Sequence, residues 1–190
     1  MNTYRMKSKR NELKVKNSKY IYKDPWLKLR LDELVRSDGF ESTYSVAELK
    51  GGIGVVVLDK ENRITLVGQY RYAPGLYSWE IPKGAFDSFD SKELPLDRAK
   101  EELNEETGIT ARSWKELTLV YTLLGSSNDK VYLFLAQDIT SGASHPEQSE
   151  IISQKKVTFK EFYEMVERQE IVDATTIAAV GLAEKTLGVK

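Results

Sequence analysis

The chain has 190 residues, of which 41% are hydrophobic and 30% charged, and its formal net charge is -1. That suits one globular domain with its own core; the near-neutral balance argues against a coat for nucleic acid, and no apolar run is long enough to span a membrane. The absence of cysteine excludes zinc-thiolate sites, thiol nucleophiles and disulfide frameworks, and it fits a reducing, cytoplasmic compartment.

Residues 1–23 carry Arg5, Lys7, Lys9, Arg10, Lys14, Lys16, Lys19 and Lys23 against Glu12 as the single acid. This reads as a solvated arm or an edge strand guarded by lysines, with a polyphosphate- or RNA-steering role as the other reading. No apolar stretch follows that would make it a secretion signal. Leu27, Leu29 and Leu31 alternate with Lys28, Arg30 and Asp32, the period of a half-buried strand. Ser37, Asp38 and Gly39 predict a turn, and residues 43–49 the returning strand. Residues 52–59 and 63–71 predict a hairpin whose first strand is apolar on both faces and therefore central.

Pro82, Gly84 and a run of Ser and Asp predict a loop over 82–93. Residues 94–107 predict a helix: Pro95 suits a first turn, Gly108 a C-terminal stop, and Leu96, Ala99 and Leu103 one buried face. Strands are expected near 112–124, 129–137 and 150–157. Thr158 and Glu161 have capping-box spacing for a helix to about 168, and Asp173 caps a last helix over 174–186. The result is a mixed sheet with one helix mid-chain and two at the end, an α+β fold or a layered α/β/α sandwich.

The segment from Glu101 to Gly108 is the most informative. Glu102 and Glu106 are four apart, and so are Glu101 and Glu105, so each pair shares a helix face. Like charges at that spacing cost a helix a few tenths of a kcal/mol per pair, and a hard divalent cation reverses the sign. A solvated acidic face is the plainer reading. Against it stand the absence of lysines inside the cluster, the neighbouring glycine-rich loop and the glycine stop directly after the acids.

Glu93, seven residues, then Glu101-Glu102-Leu103-Asn104-Glu105-Glu106-Thr107-Gly108-Ile109 resembles the Nudix box. Trp79-Glu80-Ile81-Pro82-Lys83-Gly84, Gln69-Tyr70-Arg71-Tyr72, the stretch from Leu124 to Ala136 and Ile171-Val172-Asp173-Ala174 resemble ADP-ribose and nucleoside-diphosphate-sugar pyrophosphatases. The likeness implies a Nudix fold with a mid-chain catalytic helix, an N-terminal region over 1–50 and a hydrolase domain over 51–190. It implies Glu102, Glu105, Glu106 and the Lys83 carbonyl as ligands of Mg2+, with Mn2+ as a substitute. Arg71 would meet the diphosphate, and Glu80 would lie near the metals or the ribose. The general base would be Glu150 on a late loop that also holds Glu147, or Glu105. His145, the only histidine, reads as a surface residue.

The implied substrate is a nucleoside-diphosphate sugar such as ADP-ribose or GDP-mannose, cut to a nucleoside monophosphate and a sugar phosphate. The implied assembly is a homodimer, with no membrane or nucleic-acid partner. Tyr20, Tyr22 and Trp26 read as core or dimer residues, or as a stack for a nucleobase. Two departures stand out. Glu101 occupies the position of the box arginine, which orients a glutamate in the family. The loop between Gly84 and Glu93 has eight residues instead of five. The basic N-terminus keeps open a pyrophosphohydrolase of (d)NTPs or capped RNA, and Glu101 a nucleotide-binding module without catalysis.

Overall fold

The computed structural model describes residues 12–144 and 152–188, and the chain divides into two compact units. In the first, the lysine-rich segment is an edge strand, β1 (Leu13–Lys23), antiparallel to β2 (Lys28–Arg36), which pairs with β3 (Glu41–Glu48). Its centre is polar. The buried carboxylates of Asp32 and Glu48 both receive the Arg30 guanidinium, and the hydroxyls of Ser18 and Tyr20 donate to them at 2.5 and 3.1 Å. Leu123–Asn128 belongs to this unit, held where Ala47 N–H donates to the Ser126 carbonyl at 2.8 Å. Tyr20, Tyr22 and Trp26 are exposed, which excludes the core reading for them.

The second unit is built on a seven-stranded mixed sheet. Its strands are β4 (Gly52–Leu58), β5 (Ile64–Arg71), β6 (Leu76–Glu80), β7 (Lys83–Ala85), β8 (Ile109–Tyr121), β9 (Lys130–Ser141) and β10 (Ser153–Val157). The main order is β10-β5-β4-β9-β8, with β6 on β5 and β7 on β4. β4 and β9 run parallel, and every residue of β4 is buried. Its side chains alternate between two cores, as a doubly covered strand requires. Ile53, Val55 and Val57 join Ala99 and Leu103 of α1 (Pro95–Thr107) on one face. Val56 and Leu58 join Phe162 and Met165 of α2 (Phe159–Glu167) and Val180 and Ala183 of α3 (Ala174–Leu187) on the other. This is an α/β/α sandwich.

Helix termini follow their local chemistry. Pro95 opens α1, and Gly108 ends it at φ 69°, a left-handed geometry that glycine adopts without a Cβ penalty. The Thr158–Glu161 capping box is formed, and Asp173 caps α3 by accepting from Thr176 N–H. Two short strands depart from expectation. β6 carries no clear period, and β7 lies inside the stretch read as a loop over 82–93. β8 begins directly after the glycine stop, three residues earlier than the 112 expected. Among the described residues no helix is long and apolar enough to cross a membrane.

Candidate active site

The site forms where β4 and β5 part. The two strands pair only at Val57↔Thr65 and Leu58↔Ile64. Farther along, β7 takes over the edge of β4 through Gly52↔Ala85, Ile53↔Gly84 and Gly54↔Lys83. This brings the backbone of Lys83 and Gly84 against α1, and Lys83 N–H donates to Glu106 at 3.1 Å. The approach is too close for side chains. A Cβ on Gly52 would overlap the Gly84 carbonyl, and one on Gly84 would overlap the Glu102 carboxylate. The glycines before the acidic helix are therefore spacers between backbone and ligand-type oxygens.

The acidic helix is split by burial. Glu102 and Glu106 lie on the buried face with Ala99 and Leu103, whereas Glu101 and Glu105 are exposed. Glu102 pairs with Arg98 one turn earlier, and Arg98 Nε donates to the Ala85 carbonyl at 3.0 Å. Lys100 instead reaches Asp97 at 3.4 Å. Glu93, at the end of the loop, has its Oε2 buried without a hydrogen-bond partner. Burial pushes its carboxyl pKa up; nearby Arg98 counters this, and Glu101 adds to the rise.

A second feature is a chain of alternating charges. Arg71 at the end of β5 holds both oxygens of Glu80, Nε at 2.9 Å and Nη2 at 2.7 Å. Lys83 Nζ lies 2.8 Å from Glu80 Oε2 and 2.8 Å from Asp173 Oδ2. Asp173 in turn accepts from Thr176 Oγ1 at 2.6 Å. Burial works to raise the pKa of Glu80 and of Asp173. The charges and hydrogen bonds of Arg71 and Lys83 on Glu80, and of Lys83 and Thr176 on Asp173, outweigh it and hold both below the ordinary value. Lys83 and Asp173 stand between two cavities. One, about 700 Å3, also meets Gly52, Tyr121 and Thr175; the other, about 550 Å3, meets Arg71, Tyr72, Leu76 and Glu80. Both are of ligand size.

The Lys83 side chain is only partly exposed, and the Glu80 carboxylate is buried. Removing one partner of a buried ion pair costs roughly 3–5 kcal/mol; partial solvation here reduces the expected loss for Lys83→Met to about 2 kcal/mol. Urea unfolding checks this, and an unchanged midpoint would show that water already carries Asp173 and Glu80.

This arrangement, two buried carboxylates one turn apart on a helix that abuts a glycine-bearing strand, agrees with the comparisons to known proteins. A NUDIX domain model matches residues 48–179, and a nucleoside diphosphate sugar hydrolase N-terminal domain model matches residues 14–47. The chain belongs to the NUDIX family. It is similar to an ADP-ribose pyrophosphatase of Mycobacterium tuberculosis (strain ATCC 25618 / H37Rv), 32% identical over 155 residues covering 80% of this chain and 73% of that one. It is also similar to an ADP-ribose pyrophosphatase of Bacillus subtilis (strain 168), 28% identical over 84% of this chain and 86% of that one. A crystal structure of an ADP compounds hydrolase shares the fold, with a TM-score of 0.81, 18% identity and coverage of 94% of this chain and 95% of that one.

Members of the NUDIX family generally use divalent metal ions, and the chain is a hydrolase of this family. Its donor set suits such an ion. Glu102, Glu105, Glu106 and the Lys83 carbonyl offer oxygen atoms of the type hard cations take, and they are the residues that could hold one. Among the described residues no group of three or more acidic, histidine or cysteine side chains is gathered into a metal cluster as the side chains stand. Glu102 is engaged by Arg98 and Glu106 by the Lys83 amide, so a bound ion would share or replace those contacts. Of the sequence-predicted residues, Arg71, Glu80 and Lys83 are brought together, and Glu102 and Glu106 share the buried face with Glu105 beside them. Glu150, Glu147 and His145 lie outside the described residues. The sequence reading missed the Lys83 side chain and the bond of Asp173 to it. A lysine four residues after a tryptophan in an apolar strand end carries no sequence signal of an ion pair across the fold.

Proposed function

We propose that this chain is a magnesium-dependent pyrophosphatase of nucleoside-diphosphate sugars, with Mn2+ as a working substitute and ADP-ribose as the first substrate to test. The observation that carries the reading is the placement of Glu102 and Glu106 beside the Lys83–Gly84 backbone, next to two ligand-sized cavities with Lys83 at their junction. The substrate class is supported by the names of the relatives and by the matched N-terminal domain.

A diphosphate resists water because its anionic oxygens repel the nucleophile. A divalent ion held by Glu102, Glu105, Glu106 and the Lys83 carbonyl would neutralise those oxygens and acidify water. The chain's own part is positioning. Glu80 fixes Nε and Nη2 of Arg71, which leaves Nη1 to meet a phosphate oxygen. Glu105, exposed beside the buried pair, accepts a proton from the attacking water; Glu150, outside the described residues, is the other candidate base. Water oxygen joins one phosphorus, the bridging oxygen leaves with the other, and the products are a nucleoside monophosphate and a sugar phosphate.

The deciding experiment is nucleotide release from ADP-ribose, GDP-mannose, UDP-glucose and a dNTP, each with magnesium and with EDTA. We expect AMP and ribose 5-phosphate from ADP-ribose with magnesium and none with EDTA. Silence on every substrate, with calorimetric binding intact, would favour a binding module instead.

The same reading makes the protein a cytoplasmic homodimer. Cysteine-free composition supports the compartment. The dimer is supported by the family resemblance; Val15, Ile21 and Trp26, 60%, 57% and 68% exposed on or beside the lysine-rich edge strand, are apolar groups that such an interface would cover. Light scattering should give about twice the 21.6 kDa chain mass; a particle of 21.6 kDa would refute the dimer.

A further inference from the structure

We propose that Arg98 is the positioning residue of this site: from one turn earlier on α1 it does the work of the missing box arginine, setting the Glu102 carboxylate and clamping the lengthened loop to the helix. The inference rests on the reading of α1 as a cation site. Its geometric basis is a single guanidinium that serves two segments. Nε donates to the Ala85 carbonyl at 3.0 Å, Nη2 pairs with Glu102, and Nη1 lies 3.7 Å from Glu101 and 3.9 Å from Asp87. Ala85 ends β7 and Asp87 follows it, both in the stretch between Gly84 and Glu93 that is three residues longer than the family pattern.

An ordinary i,i+4 ion pair on a helix surface is worth only about 0.3–0.5 kcal/mol and would not merit the role. Arg98 differs in burial and in fork geometry. Its side chain is 16% exposed and that of Glu102 11%, whereas Glu101 is 59% exposed. A planar guanidinium can hold a carboxylate and a carbonyl at once, and a lysine cannot reproduce this. A positive group beside a metal ligand also opposes the metal, but Glu101 returns a negative charge at nearly the same place. What remains is orientation. A residue of arginine type at 101 would face Glu93, whose buried Oε2 lacks a partner, and would fasten the same loop from the other side.

The test uses the full chain as Arg98→Ala and as the double variant Arg98→Ala/Glu101→Arg. Hydrogen exchange over residues 85–93 is followed without metal, and Mn2+ affinity is read by electron paramagnetic resonance without substrate. Arg98→Ala should exchange faster in that loop and bind Mn2+ about 10–100-fold more weakly, the usual cost of losing an outer partner of a metal ligand. The double variant should recover most of both, which a merely structural role for Arg98 would not produce. Mn2+ binding as tight as wild type in Arg98→Ala, or a double variant no better than the single, overturns the proposal. If Arg98→Ala does not fold, Arg98→Lys keeps the charge without the fork and should also bind Mn2+ more weakly; wild-type affinity there overturns it equally. Because no substrate is used, a chain inactive on every nucleotide sugar would refute the function above and leave this result standing.

Discussion

A Glu102→Gln variant should keep its fold and lose about a thousand-fold in kcat on ADP-ribose, close to 4 kcal/mol of transition-state stabilisation. Glutamine preserves the shape of the side chain and one oxygen that can accept from Arg98, so the buried face of α1 with Ala99 and Leu103 stays filled. What disappears is the formal charge that a hard cation needs from its ligand. Stability should move little, because loss of the ion pair with Arg98 is offset by relief among Glu101, Glu102, Glu105 and Glu106. Steady-state kinetics at saturating magnesium, beside a thermal melt, separate the two effects. A kcat within a few-fold of wild type would remove Glu102 from the metal site, and with it the central assignment.

Gly84→Ala should be nearly as damaging, although it adds one methyl group. The new Cβ would coincide with the Glu102 carboxyl group. Gly84 does not have a positive φ, so the backbone accepts alanine and β7 keeps its pairing with β4. The clash falls on the end of a flexible side chain, which can swing away. The variant should therefore fold, with Glu102 displaced from Lys83 and Glu106. Misplacing a catalytic group by about 1 Å costs roughly 100-fold, and at least that loss in kcat is expected. Mn2+ titration should show the same weakening. Wild-type kinetics would mean that Glu102 acts from a different rotamer, and that the close approach of Gly84 serves packing alone.

The two variants probe one design from opposite sides. The strand β7 supplies backbone, the helix α1 supplies carboxylates, and the glycines keep the two in contact. The charge chain Arg71–Glu80–Lys83 flanks that contact, beside the two cavities. Within this design the turn before Glu101 presents Arg98 to the Glu102 carboxylate.

Much of this was readable in the chain. The spacing of Glu102 and Glu106 placed both on one helical face because the α-helix repeats every ~3.6 residues. The doubly apolar pattern of residues 53–58 put β4 at the centre, and the lysines of residues 14–23 marked an edge. The capping groups at Thr158 and Asp173, and the stop at Gly108, acted locally and were legible locally. Tertiary structure alone decided the rest. The parallel pairing of β4 with β9 and the takeover of the β4 edge by β7 depend on hydrogen bonds between segments distant in sequence, and three residues of Lys-Gly-Ala carry no period that announces a strand. The pairing of Arg98 with both Glu102 and the Ala85 carbonyl joins the helix to a segment thirteen residues earlier, while exposed Lys100 stays on its own helix with Asp97. Asp173 capped its helix as its sequence position required, but its bond to Lys83 joins residues ninety apart, and only the packed sheet brings a charge pair of that separation within 2.8 Å.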